Sequence, residues 1–325
     1  MNKIACIFFV GLMSLMSFAA PTVTDVVAKQ RYPWNGLVDI TCKVSGVDET
    51  IANPQFVLSA VLPDSGNVGR MSRFWVMRDG VKSSNLAADV NGDYRLLWDV
   101  KAELGEVRYT DMVVRVAING RQRVQLWEGG PYWATTNIGA EKPEDYGYYF
   151  WWGDPVGYKR ENDQWVASDG SNSNFEFYYW NTPTYDKGIS TLQREGWITA
   201  DGVLAPEHDA AKKHWGGDWR MPTKQEFNDL NNKCDWVWTS TNGVNGYIVR
   251  GKGDYSSVSI FLPCAGEGWG TPLNAAGSDG FYRSSVPDSG NYYSWFLGFN
   301  SSRHYTNDGS RYVGYSVRPL QGFTK

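Results

Sequence analysis

The strongest constraint in this chain is a succession of short period-two segments, each closed off by glycine, asparagine, aspartate or serine. Leu37-Val38-Asp39-Ile40-Thr41-Cys42-Lys43-Val44 alternates apolar and polar side chains, the pattern of a strand with one buried face. A β-rich segment around Val23, Val26 and Val27 precedes it, and Phe56 to Leu62, Tyr94 to Trp98 and Met112 to Ile118 follow. Turn-forming clusters separate these runs, and no convincing helix intervenes. This spacing predicts an all-β, immunoglobulin-like sandwich over residues 20–120. Asn119-Gly120 is a turn signal, so the second region is placed at 121–325. The 35 glycines, 16 tryptophans, 19 tyrosines and 14 phenylalanines suit short strands, tight turns and wide loops. Most such rings fill cores, but Trp and Tyr faces also suit stacking on sugars.

Met1 to Ala19 read as a signal peptide: Lys3, an apolar run from Ile4 to Met16, then Ser17-Phe18-Ala19 at the cleavage position. The run is too short for a comfortable membrane span, and Cys6 stands too early for a lipid anchor. The expectation is an exported chain, periplasmic or extracellular, with no transmembrane segment once mature. A formal charge of −4 and no basic patch argue against nucleic acid as a partner. Mature cysteines would be Cys42, Cys234 and Cys264, an odd count that leaves at least one thiol without an intramolecular mate.

The second region predicts two helices. Pro206 suits a first helical position, Glu207 and Asp209 favour the first turn, and Gly216-Gly217 ends the segment. Thr223 and Glu226 have capping-box spacing, with Phe227 and Leu230 as the apolar side. Strands are expected at Asp235–Thr239, with Trp236 and Trp238 on one face, and then at 247–250, 258–262, 281–284, 292–299 and 314–318. Asn242-Gly243, Asn245-Gly246 and Asn307-Asp308-Gly309 are turn signals.

An ordered set of motifs runs through this region. Gly130-Pro131-Tyr132-Trp133-Ala134 leads to Asn137-Ile138-Gly139-Ala140 and Phe150-Trp151-Trp152-Gly153. Then come Ala205-Pro206-Glu207-His208-Asp209-Ala210 and Trp215-Gly216-Gly217-Asp218-Trp219-Arg220-Met221-Pro222-Thr223. Ile260-Phe261-Leu262-Pro263 and Gly314-Tyr315-Ser316-Val317-Arg318-Pro319 complete it. The series resembles the Fibrobacter succinogenes major paralogous domain, a family of secreted and surface proteins of gut and rumen bacteria. The resemblance implies an α+β, C-type-lectin-like fold related to formylglycine-generating enzymes. His208 stands where that pattern usually has Asp, and Cys264 where it has Ala. The latter change leaves three states open: a Cys234–Cys264 bridge, buried unpaired thiols, or a redox or copper site.

Formylglycine-type chemistry needs two thiols late in the domain, and nothing follows Cys264. Calcium lectins carry Glu-Pro-Asn or Gln-Pro-Asp and then Trp-Asn-Asp, none of which occurs; Phe227-Asn228-Asp229 lies on the expected helix. His208, His214 and His304 lack zinc-ligand spacing, and no nucleophile elbow is present. No catalytic residue, metal or cofactor is therefore assigned. Trp219, Arg220, Pro222 and Arg318 read as structural, the guanidinium groups tying loop to sheet. The best binding surface in sequence is the loop-rich stretch 264–281, with Glu267, Trp269, Asn274 and Asp279, joined by Arg303, His304 and Tyr305 after Phe299. The functional expectation is a non-catalytic exported protein that recognises a glycan or surface protein. The alternatives are a formylglycine-type oxidoreductase and a structural surface component.

Overall fold

A computed structural model describes residues 21–61, 68–88, 90–105 and 112–322. The signal-peptide segment Met1–Ala19 and Leu62 lie outside the described residues. The first part runs β1 (Thr22–Gln30), β2 (Leu37–Ser45), β3 (Ile51–Val61), β4 (Val68–Arg70), β5 (Phe74–Arg78), β6 (Val81–Ser83), β7 (Gly92–Asp99), α1 (Val100–Leu104) and β8 (Val113–Gln125). One sheet has the order β1-β2-β7-β5-β6, and β3 lies between β4 and β8 in another. Val38, Ile40, Cys42 and Val44 alternate inward from β2 and meet Phe56, Leu58 and Ala60 of β3. Trp98 of β7 and Val116 of β8 share that core. The period-two pattern is what buries one face of each strand.

The second part continues with β9 (Tyr132–Ala134), β10 (Tyr158–Glu161), β11 (Gln164–Ala167), α2 (Ile189–Arg194), α3 (Ala210–Trp215) and α4 (Lys224–Lys233). It ends with β12 (Asp235–Thr241), β13 (Val244–Arg250), β14 (Ser259–Pro263), β15 (Glu267–Gly268), β16 (Leu273–Asn274), β17 (Asp279–Pro287), β18 (Tyr293–Asn300), β19 (Arg303–Ser310) and β20 (Leu320–Gln321). Two antiparallel three-stranded sheets, β12-β13-β14 and β17-β18-β19, flank the core of this part, and α4 packs on β17, β18 and β19. Position 120 is interior to β8. Its first half pairs with β3 and its end pairs with β9, which in turn pairs with β20. One five-stranded sheet, β20-β9-β8-β3-β4, thus contains strands from both sides of position 120.

These elements correct the expected fold class. The protein is mostly β, 46% strand and 11% helix in several small sheets, and a C-type-lectin-like α+β fold is not shown. Helix is scarce because the helical segments are short: α2 and α3 have 6 residues each and α4 has 10. The first expected helix starts later than Pro206. Asp209 caps it, its carboxylate accepting from Lys212 N at 3.0 Å, so the residues before it form turns. Asn119-Gly120 and Asn245-Gly246 lie inside strands, whereas Asn242-Gly243 is the two-residue turn of the β12–β13 hairpin. There both residues take positive φ, 48° and 85°, as a primed turn requires. The strand expected at 314–318 is instead three isolated bridges from Gly314, Tyr315 and Ser316 to Gly268, Phe150 and Tyr282.

Cys234 and Cys264 are both free and buried, and no bridge joins them; Cys42 is free and buried in the first core. No helix among the described residues is long and apolar enough to cross a membrane.

Two local features carry predictions. The capping box of α4 is complete, with Thr223 Oγ1 accepting from Glu226 N and Glu226 accepting from Thr223 N. Thr223→Ala should destabilise the protein by about 1 kcal/mol in urea unfolding. Asp154 is fully buried, and burial pushes its carboxyl up to about 7 even though Val156 and Gly157 N–H groups donate to it. An unfolded aspartate titrates near 3.8. Between those values the folded chain holds a proton that the unfolded chain has released, so this group's stabilisation fades as pH rises through the window and is gone above it. Stability measured from pH 4 to 8 should show a decline of up to roughly 4 kcal/mol that is absent in Asp154→Asn.

Candidate functional site

The residues singled out in the sequence do not form one surface. Glu267 and Asn274 are register partners in the β15–β16 ladder. Burial raises the Glu267 carboxyl, opposed by the nearby Arg283 guanidinium, with Asp279 adding to the rise. Asp279 accepts from Ser278 Oγ at 2.6 Å. Arg303 lies 4.8 Å over the Tyr305 ring, and Tyr305 senses both Asp279 and Glu267. These five residues therefore group at one end of the β17-β18-β19 sheet. His304 is on the opposite face of β19. It stacks on Trp236 at 4.4 Å, and its Nδ1 lies 3.0 Å from Asn231 Oδ1 of α4. Arg303, His304 and Tyr305 belong to a strand rather than a loop, so period-two alternation separates the middle residue from its neighbours. Trp269 is 51% exposed.

The four structural assignments occupy junctions. Trp219 is buried in the core beside α3. Arg220 reaches both carboxylate oxygens of Glu226 and the Gly322 carbonyl. The Pro222 carbonyl accepts from Ser285 N at 2.8 Å. Arg318 has no carboxylate among its hydrogen-bond partners: it donates to Asn137 Oδ1 and to the carbonyls of Ala134, Thr135 and Phe261.

A different surface stands out. Six rings run in contact across it. Trp180 stacks on Tyr178 with centroids 4.4 Å apart and meets Tyr179 edge-on at 4.9 Å. Tyr179 lies 5.5 Å from Tyr185, which lies 5.0 Å from Tyr292 and 5.5 Å from Tyr312. Core-forming rings would be covered, but Trp180 is 58% exposed and Tyr179 53%, and Tyr292 is exposed as well. Exposed large apolar surface held in one patch marks a contact site more often than scattered exposure does.

Local sequence explains why these rings face outward. Phe177, Thr182 and Thr184 are buried and pin the segment from beneath. Phe177 exchanges backbone hydrogen bonds with Gly270, and Thr184 Oγ1 donates to the Trp152 carbonyl at 2.8 Å. Tyr179–Asn181 forms one short helical turn between these anchors, leaving its side chains to solvent. Tyr178 lies over Gly270, where an added Cβ would come 2.9 Å from the phenol oxygen and φ is +69°. Trp269, the residue before that glycine, borders the same patch.

Arg311 holds the two ring-bearing loops together. It is fully buried and forms no ion pair among the described residues. Its guanidinium donates to the carbonyls of Thr184 at 2.8 Å and Lys187 at 2.7 Å in one loop, and of Gly290 at 3.1 Å and Tyr293 at 2.9 Å in the other. A guanidinium has five N–H groups and so satisfies several irregular carbonyls at once. Burial lowers its pKa to about 10, which still leaves the cation charged at neutral pH. Arg283 works similarly one layer away, donating to Ser294 Oγ and to the Val313 carbonyl.

The polar rim of the patch has one carboxylate in position. Hydrogen bonding to Asp186 raises the Tyr292 phenol, and Asn291 is exposed beside it. Flat rings flanked by a carboxylate and an amide can stack on C–H surfaces while bonding to hydroxyls. Among the described residues no three His, Cys, Asp or Glu side chains gather in a way that could hold a metal ion. Sequence reasoning placed no function on 178–185; the signal there is three consecutive aromatics, Tyr178-Tyr179-Trp180, which is hard to bury in a chain segment without strand or helix period. Comparison with protein-family models, with curated proteins and with solved structures returns no match.

Proposed function

We propose that this is an exported, non-catalytic binding protein that recognises a glycan through the exposed ring surface around Tyr179 and Trp180. The observation that carries the reading is a contiguous run of solvent-facing rings whose supporting loops are fixed by a buried arginine. A rigid aromatic surface loses little conformational entropy on binding, which suits weakly apolar ligands such as sugars. Phenol hydroxyls, Asp186 and Asn291 supply the directional contacts that a polyol needs and a purely apolar partner does not use. Export rests on the Met1–Ala19 segment, and kinship with the Fibrobacter succinogenes major paralogous domain rests on the ordered motifs. The test is a screen of soluble oligosaccharides by calorimetry, with and without chelator. Saturable binding that is indifferent to chelator supports the reading, and dependence on added metal contradicts it.

A further inference from the structure

A concavity lies away from the ring surface, where the chain passes from the first part to the second. It is a cleft of about 830 Å³ between the β3 and β8 strands on one side and the end of α3 on the other. Arg121 projects from β8 into it, half-buried, with its guanidinium 4.0 Å over the Trp215 ring. Trp215 is held in turn edge-on to Trp219 at 4.9 Å. The stacked face fixes the plane of the guanidinium.

Among the described residues Arg121 donates no hydrogen bond and pairs with no carboxylate. Burial alone shifts its pKa, downward, with no acid opposing the shift. Its neighbour on the same face of β8 differs. Arg123 is occupied, donating to the Glu49 carbonyl at 3.0 Å and to Gln321 Oε1 at 2.5 Å while lying over Tyr132. Asn53, Gln55 and Asn119 line the cleft along with Arg121, and Asp48 and Glu49 belong to the same lining. A partly desolvated cation without a counter-charge is an incomplete pair.

We infer that this cleft binds a sugar acid, its single carboxylate paired with the Arg121 fork and its hydroxyls bonded by the surrounding amides. One free guanidinium matches one carboxylate bidentately. Asp48 and Glu49 in the lining disfavour polyphosphates and other polyanions by like-charge repulsion. The site shares no residue with the ring surface around Trp180, so either can fail without the other.

The mature chain is titrated with methyl β-glucuronide and with methyl β-glucoside, which differ only in the carboxylate. Calorimetry and indole fluorescence should both show the glucuronide binding at least about tenfold more tightly. Arg121→Gln should remove that preference, and Arg121→Lys, which keeps the charge without the fork, should lose most of it. Thermal melting checks that each variant folds, and the selectivity of the unaltered protein needs no variant at all. Equal affinity for the two glycosides, or undiminished preference in Arg121→Gln, would overturn the inference. So would N-acetylalanine matching the glucuronide, because the sugar ring would then contribute nothing.

Discussion

Arg311→Met should destabilise the protein by roughly 3 kcal/mol or more and release the two loops that carry the exposed rings. The substitution keeps an unbranched side chain of similar reach but removes every donor. Four carbonyls, at Thr184, Lys187, Gly290 and Tyr293, would lose their charged partner; the bond to Thr184 is buried and the other three are partly buried. Each buried acceptor left unsatisfied costs about 1–3 kcal/mol, and relaxation of the loops recovers part of that sum. Denaturant unfolding measures the stability change. Hydrogen exchange at the amides of residues 184–187 and 290–293 should quicken by more than the global change explains, because local opening becomes independent of unfolding. An Arg311→Met protein as stable as the parent would mean that the guanidinium does not brace these loops.

Trp180→Ala together with Tyr179→Ala should weaken oligosaccharide binding by roughly thirtyfold or more while leaving unfolding nearly unchanged. Aromatic contacts within a binding surface that cost about 1 kcal/mol or more each on truncation give about 2 kcal/mol for the pair, which is the thirtyfold. Both rings are more than half exposed, so their removal opens no cavity. Stability and binding therefore separate in opposite ways for the two experiments: Arg311→Met lowers both, whereas the ring variants lower binding alone. Trp269→Ala should have a smaller effect, since Trp269 borders the patch rather than lying within it.

The strand-forming half of this molecule is readable in the sequence because period two and burial coincide. Leu37–Val44 alternates without interruption, and β2 spans Leu37–Ser45. The Thr223–Glu226 box is equally legible, since both of its hydrogen bonds are local in sequence. Legibility falls where distant segments decide the outcome. Asn119-Gly120 has turn chemistry, yet β8 continues through it because β3 on one side and β9 on the other offer ladder partners. Arg303, His304 and Tyr305 resemble a turn cluster, but pairing of β19 with β18 extends them and sends His304 to the face opposite its neighbours. The helical expectation from Pro206 loses to the Asp209 cap, which also accepts from Met221 N, twelve residues on.

The candidate site was the least legible part. Loop composition drew attention to residues 264–281, where glycines and polar residues are plentiful. The exposed rings lie elsewhere, and their exposure depends on what Phe177, Thr182 and Thr184 do beneath them. Arg311 gives no local sign of its role, because all four of its acceptors are at least eighteen residues away. A lone arginine before a tyrosine reads as surface until those partners are known. The lectin-like expectation illustrates the same limit: motifs aligned in order describe local turns and core rings, while the small sheets those rings join are set by long-range pairing.

The most direct measurement is calorimetric titration of the chain with oligosaccharides, run in parallel on the Tyr179→Ala, Trp180→Ala double variant. A polyol surface built from the 178–185 rings requires saturable, metal-independent binding in the parent chain and its collapse in the variant. Binding that is the same in both proteins, or no saccharide bound by the parent across a broad panel, would contradict it.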